Sequence, residues 1–300
     1  MTLDIEPGSI IVGVDGSADA DRALRWAAEE ASRERRPLVV VTAAGIDQVG
    51  AVTWAGAGTY VVPVSDMIDQ VRIVAEDAAA SVHKLRPGLL VTAHAAHGDP
   101  RETLVELSHQ AHLVVVGSRG RGAVRSRLLG SVSTTVARHA HSPVVVCRPD
   151  SPGLVRKGVL VGVGGSAEEE PVLELAFRHA SMRGLPLTVR HSFHDVFANM
   201  YGAHVVAASD QLLEEERLLL AESVAGYSEK YPEVPVELEL ARGLAHETLA
   251  ADSEHWNLIV VGRHPTDSVG RMLSATVATA VIEHARTTVA VVPVSVPEPA

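Results

Sequence analysis

The chain of 300 residues contains one cysteine. Cys147 therefore has no partner for an intramolecular disulfide. Its place at the end of the run Val144-Val145-Val146 reads as a small core residue in a reducing, cytoplasmic setting. Aromatic residues make up only 3% of the sequence, so a core must be built from valine, alanine and leucine. Long apolar runs are missing too, since none approaches the ~18 residues of a membrane span. Residues 1–9 are acidic rather than basic and then apolar, so neither a signal peptide nor a membrane helix is expected. Positive charge is scarce: 26 basic against 37 acidic residues give a net charge of −11, which repels polyanions. Nucleic acid is therefore not expected as a partner, and any phosphate site has to be locally basic. What remains, 46% hydrophobic and 21% charged, is a globular composition that excludes disorder and collagen-like repeats.

The length suits two domains of ~100–150 residues each, and internal repetition supports that division. Ile11-Val12-Gly13-Val14-Asp15-Gly16-Ser17-Ala18 returns as Leu160-Val161-Gly162-Val163-Gly164-Gly165-Ser166-Ala167. Leu113-Val114-Val115-Val116-Gly117-Ser118-Arg119 returns as Leu258-Ile259-Val260-Val261-Gly262-Arg263-His264. The order of the two motifs is the same in both halves, which marks two copies of one fold. Arg148-Pro149-Asp150-Ser151-Pro152-Gly153 reads as the linker, so the expected domains are 1–150 and 151–300.

Within the first copy, apolar runs predict strands near 9–14, 38–44, 89–95, 112–117 and 143–148. Helical periodicity predicts helices near 18–35, 66–86, 100–110 and 131–140. Strands near 157–163, 186–192, 234–240, 256–262 and 288–293 repeat the pattern. Continuous apolar strands alternating with helices predict an α/β fold. The expectation is two tandem doubly wound five-stranded parallel sheets, each of order 3-2-1-4-5 with helices on both faces. In such a sheet ligands bind where strands 1 and 4 diverge, at their carboxyl ends. That geometry selects the turn Asp15-Gly16-Ser17 and the loop from Gly117 onward.

The loop runs from Gly117 through Ser118, Arg119, Gly120, Arg121, Gly122 and Arg127 to Gly130, Ser131, Val132 and Ser133. Its glycines allow backbone amides to approach a phosphate, and Ser131 to Ser133 open the next helix, whose free amides and dipole favour an anion. The arginines supply the local positive charge that the acidic total lacks, and arginine can grip phosphate oxygens bidentately. A solvated loop with an ordinary helix cap is the alternative reading. Asp15 could hold a ribose hydroxyl or a magnesium ion, or simply form an Asp-Gly turn.

The spacing Gly117-x2-Gly120-x9-Gly130-Ser131, with Asp15 after the first strand, resembles the ATP-binding class of universal stress proteins, and the duplication resembles the family's tandem two-domain type. The likeness covers essentially the whole chain. It implies Asp15 near the ribose and a metal, and Gly13 with Ala43 near the adenine. It further implies Gly117, Gly120, Gly130, Ser131 and Val132 around the phosphates and ribose. Arg119, Arg121 and Arg127 would pair with the phosphates, on local charge more than on the motif.

The second copy departs from this pattern. Gly262 matches Gly117, but Pro265, Asp267 and Ala275 stand where Gly120, Gly122 and Gly130 stand, Gly164 replaces Asp15, and only Thr276 matches Ser131 in kind. Proline removes a donor, Asp267 brings negative charge, and the carboxylate of the turn is gone. One nucleotide per chain, in the first half, is the expectation. The last strand of each half should lie at a sheet edge, and in the resembling family that edge commonly pairs domains. The halves would then form an internal pseudo-dimer that self-associates, making a homodimer.

Other features are weaker. The pairs His94/His97, His139/His141 and His191/His194 have spacings two metal ligands could use, but the sequence places no third. Gly45 to Pro63 is long for a loop and could cover the nucleotide or dock a partner, and Gln211 to Glu222 reads as an amphipathic helix. Three functions compete: an ATP-binding stress-response regulator, an ATP-hydrolysing or ATP-transferring enzyme, and a scaffold that binds no nucleotide. The enzyme lacks a Walker Gly-x4-Gly-Lys-Ser/Thr lysine and a second carboxylate spaced for metal, which favours binding, with at most slow hydrolysis.

Overall fold

A computed structural model of the chain describes residues 5–44, 64–120, 129–149, 156–193, 210–264 and 269–294. The chain divides into two compact units, Met1–Arg148 and Pro149–Ala300. In the first, the order is β1 (Ile10–Gly13), α1 (Ala18–Glu34), β2 (Leu38–Ala44), α2 (Val64–Leu85), β3 (Val91–His97), α3 (Pro100–Leu107), β4 (Leu113–Gly117), α4 (Ser131–His139) and β5 (Val144–Cys147). All its strand pairs are parallel, and the order is β3-β2-β1-β4-β5. Val12 of β1 sits in register with Val40 of β2 and with Val115 of β4, so β1 is central. Both faces of these strands are covered, which is why β1, β4 and β5 are nearly uninterrupted valine and isoleucine.

Helix α1 shows how the sequence builds the covering layer. Ala20, Ala23, Leu24, Ala27, Ala28 and Ala31 recur at helical spacing and are all buried, while Arg25, Ser32 and Arg33 are exposed. Alanines let the helix lie close to the sheet. Ser17 caps its start by accepting from the Ala20 amide at 3.2 Å, and Arg35 in the left-handed region (φ 54°) ends it. α1 packs with α2 and α3 with α4, and the return of the chain across the sheet from β3 to β4 puts one pair on each face.

The second unit repeats the plan with β6 (Val159–Val163), a 3-10 turn at Ala167–Glu169, α5 (Glu170–Arg183), β7 (Leu187–Phe193), α6 (Asp210–Lys230), β8 (Val236–Arg242), α7 (Ala245–Ala250), β9 (Leu258–Arg263), α8 (Val269–His284) and β10 (Val289–Pro293). Its strands are parallel in the order β8-β7-β6-β9-β10. The expected α/β architecture and strand order are therefore present in both units. β3, β6, β8 and β9 each begin two residues later than the sequence pattern predicts, and at β3 and β8 the cause is local. Leu89 donates to the Arg86 carbonyl at 3.0 Å and Val234 to the Tyr231 carbonyl at 3.1 Å, so these residues belong to the preceding turns. Cys147 is buried at the end of β5, as a core residue should be. Among the described residues no helix is long and apolar enough to cross a membrane.

Candidate functional site

The carboxyl ends of β1 and β4 meet the first turn of α1, and that helix end shapes the site. A Cβ on Gly117 would lie 2.7 Å from the Asp19 carbonyl carbon and 3.0 Å from the Ala20 nitrogen, both backbone atoms that cannot move aside. Glycine at this position lets β4 run directly against α1. One residue on, Ser118 is fully buried and its hydroxyl donates to Asp19 Oδ2 at 2.6 Å. Arg119 Nε lies 3.5 Å from the same oxygen, and Arg22 pairs with Oδ1. A buried carboxylate on α1 thus ties down the start of the loop.

The turn after β1 is tied to the same loop. Asp15 Oδ1 accepts from the Ser17 amide at 3.0 Å, folding the Asp-Gly turn back on itself. Ser17 Oγ contacts the Arg119 carbonyl at 3.5 Å. A Cβ on Gly120 would lie 2.5 Å from Asp15 Oδ2, so a side chain there would push the carboxylate aside. Asp15 and Gly120, far apart in sequence, are brought together as the switch-point reading requires.

At the far end of the loop, the Gly130 amide donates to the Ser118 carbonyl at 2.8 Å. Ser133 is buried, and its hydroxyl contacts the Ser118 and Gly130 carbonyls at 3.2 and 2.9 Å. Gly130 is the N-cap of α4 and, among the described residues, no side chain caps the helix. Ser131 is exposed and Val132 half-buried at that start, so first-turn amides and the positive end of the dipole lie beside Ser118 and Arg119. This arrangement fits a phosphate group. Arg119 is about one-third exposed and supplies positive charge beside it.

The predicted residues therefore fall into groups. Asp15, Gly117, Gly120, Gly130, Ser131 and Val132 gather around the β1–β4 crevice. Ser118 and Ser133 hold the loop's shape from inside, with hydroxyls directed into the fold. Gly13 makes room for the Leu104 side chain of α3, whose Cδ1 would lie 2.9 Å from a Cβ at this position. The second unit repeats this contact, Gly162 against Leu249 at 2.6 Å, so this glycine serves helix packing in both copies. Ala43 is half-buried near the end of β2 and pairs with Ala96. Arg121, Gly122 and Arg127 lie outside the described residues, as do the segment 45–63, the linker residues 150–155, His194, Pro265 and Asp267. Among the described residues no group of three or more His, Cys, Asp or Glu could hold a metal ion.

The second unit corrects one expectation. Its turn lacks the aspartate, but a carboxylate is present there all the same. Glu169 reaches back from the 3-10 turn and accepts from the amides of Gly164 at 2.7 and 2.8 Å, Gly165 at 3.0 Å and Ser166 at 3.3 Å. Its residue is 6% exposed. His264 Nδ1 stands 3.6 Å from Glu168 and Nε2 stands 3.8 Å from Glu169. Motif alignment places Glu168 at Asp19, Glu169 at Ala20 and His264 at Arg119, so a nitrogen-bearing side chain again stands beside the helix-start carboxylate while a second carboxylate is added. Sequence reasoning missed both Asp19 and Glu169. Acidic residues in a first helical turn read as ordinary complements of the helix dipole, and nothing local distinguishes one that turns inward.

The sequence profile described as the universal stress protein family matches residues 8–148 and again 156–293. The chain belongs to the universal stress protein family. A universal stress protein of Mycolicibacterium smegmatis is 35% identical over 296 residues, spanning 94% of this chain and 96% of the relative. Another, from Mycobacterium tuberculosis, is 35% identical over 289 residues with the same coverage. Among solved structures, a universal stress protein from Archaeoglobus fulgidus superposes with a TM-score of 0.66 at 18% identity, covering 96% of this chain and 99% of that one. In this tandem member of the family, the glycine-loop crevice and the carboxylate-filled turn thus occupy matching positions in the two matched segments.

Proposed function

We propose that the first unit binds one adenine nucleotide, ATP, and that the chain is a cytoplasmic stress-response regulator acting through nucleotide-dependent conformation or partner binding. The observation that carries this reading is the convergence of Asp15 and Gly120 beside the uncapped start of α4. Amides of Ser131 and Val132, with Arg119, would hold phosphates, and Asp15 would hold a ribose hydroxyl or a magnesium ion. Magnesium would supply charge neutralisation between the phosphates. The second unit, its turn amides already satisfied by Glu169, takes no nucleotide.

Acid extraction of the purified protein is expected to release adenine nucleotide, and calorimetry on stripped protein to give one site per chain. Replacing Asp15 and Gly120 together, by Asn and Ala, should lower the affinity by tenfold or more. Two equivalent sites, or undiminished binding in that variant, would sink the proposal. Sustained turnover of many ATP per minute by pure protein would favour the enzyme reading instead.

We also propose that the chain self-associates to a homodimer, the commonest closed assembly of a folded chain. Light scattering at micromolar concentration is expected to give twice the 31.7 kDa chain mass; a strict monomer would refute it.

A further inference from the structure

We infer that Asp19 is a positioning residue that competes with the ligand's phosphates for the Arg119 side chain. Phosphate affinity is then set by competition between an internal carboxylate and an external anion. The inference rests on the reading of the first unit as a nucleotide site and assigns that site a residue outside the glycine motif.

The contacts around Asp19 are unequal. Its side chain is 12% exposed, and its Oδ2 accepts from the Ser118 hydroxyl at 2.6 Å while Arg22 pairs with Oδ1. Arg119 Nε at 3.5 Å is beyond good hydrogen-bond distance, and its side chain is 35% exposed. Such a pair is weak and screened by salt. When Arg119 leaves, Ser118 and Arg22 still satisfy the carboxylate, so no bare charge is left behind. Losing the only partner of a buried charge would be costly; losing the loosest of three is not.

The backbone next to Arg119, by contrast, is held firmly: the Ser118 amide donates to the Cys147 carbonyl at 3.0 Å and the Ser118 carbonyl accepts from the Gly130 amide at 2.8 Å. A Cβ on Gly130 would lie 3.4 Å from the Arg119 Cα. The residue therefore stands beside the N-cap of α4, and only its guanidinium has a choice of partner. A bidentate phosphate contact is stronger than the loose ion pair it replaces. The second unit shows the arrangement closed: His264 stands between Glu168 and Glu169, and the additional carboxylate already fills the turn. In the first unit, Ala20 occupies the position of Glu169 and leaves the exchange open.

The test titrates the full chain with ATP and with adenosine by calorimetry, in low salt. Asp19→Asn keeps an acceptor for Ser118 but has no charge to retain Arg119. ATP affinity is expected to rise about two- to fivefold, with adenosine affinity unchanged. Arg119→Gln should lower ATP affinity, leave adenosine unaffected, and cancel the gain in the double variant. A fall in both affinities in Asp19→Asn would assign Asp19 a purely structural role, and a gain that persists without Arg119 would also overturn the inference. In the wild-type chain, which needs no variant to fold, the Arg119 Nε–H resonance should shift with ATP and not with adenosine. A resonance that ignores ATP while ATP binds overturns the exchange alone; a wild-type chain that binds neither ligand overturns the nucleotide reading and the inference with it.

Discussion

Gly117→Ala is expected to abolish nucleotide binding and to destabilise the first unit, whereas Gly262→Ala at the matching position should be mild. The difference comes from what each new methyl group meets. At Gly117 it would press into the Asp19 carbonyl carbon at 2.7 Å, its oxygen at 2.8 Å and the Ala20 nitrogen at 3.0 Å. Those atoms belong to the first turn of α1, so relief requires the helix or the end of β4 to shift. Overpacking of this kind costs ~1–3 kcal/mol, and more where backbone is the obstacle. The displaced strand end carries Ser118, Arg119 and Gly120, and each 1.4 kcal/mol lost in placing them is about tenfold in affinity. At Gly262 the nearest atoms are Val294 Cγ2 at 3.1 Å and Val172 Cγ2 at 3.2 Å, side-chain methyls that can give by a few tenths of an ångström. Calorimetric titration with ATP and urea unfolding of both variants check the pair. Equal effects at the two glycines would show that the first unit's tight approach has no special consequence.

The architecture was legible because parallel strands covered on both faces must be apolar without interruption. β1, β4, β6 and β9 are written in the sequence as such runs, and the helix between each pair is marked by its period. The starts of β3 and β8 were misread because Leu89-Leu90 and Val234 are apolar for another reason. They close the turn under the preceding helix, and hydrophobicity does not record which element a residue belongs to. The repeat added what periodicity cannot, since two copies with the same motif order require the same topology.

The site was legible where glycine is required, and much less so where a carboxylate turns inward. Gly120 signals its place because a side chain there would displace the Asp15 carboxylate. Gly13 signals equally strongly, yet its reason is the Leu104 side chain, and only the matching contact of Gly162 with Leu249 reveals that. Ser118 and Arg119, adjacent in the motif, share one partner, Asp19, that lies 99 residues away from the serine. Side-chain direction at a helix start is decided by tertiary packing, which a local pattern does not contain. Departures between the copies were read as losses for the same reason. Gly164 in place of Asp15 removes a carboxylate from the sequence of the turn but not from its surroundings.

Glu169→Ala is expected to destabilise the second unit by ~2–3 kcal/mol while leaving nucleotide stoichiometry at one per chain. Four amide-to-carboxylate contacts between 2.7 and 3.3 Å would be lost at once. Hydrogen bonds to a charged acceptor are the stronger kind, but Gly164, Gly165 and Ser166 are exposed, so water recovers part of the loss. The net effect therefore falls well below the sum of the individual bonds. Glu169→Gln retains one carbonyl acceptor and should lose about half as much. Trp256 is buried in the second unit, 4% exposed, and reports on it selectively once Trp26 and Trp54 are replaced by phenylalanine. Its urea midpoint should fall by roughly 1 M in Glu169→Ala. An unchanged midpoint would mean that the turn holds its shape without the carboxylate. Glu169 would then be a passive occupant of the turn, and the departure of the second unit from the nucleotide-binding pattern would rest on Pro265, Asp267 and Ala275 instead.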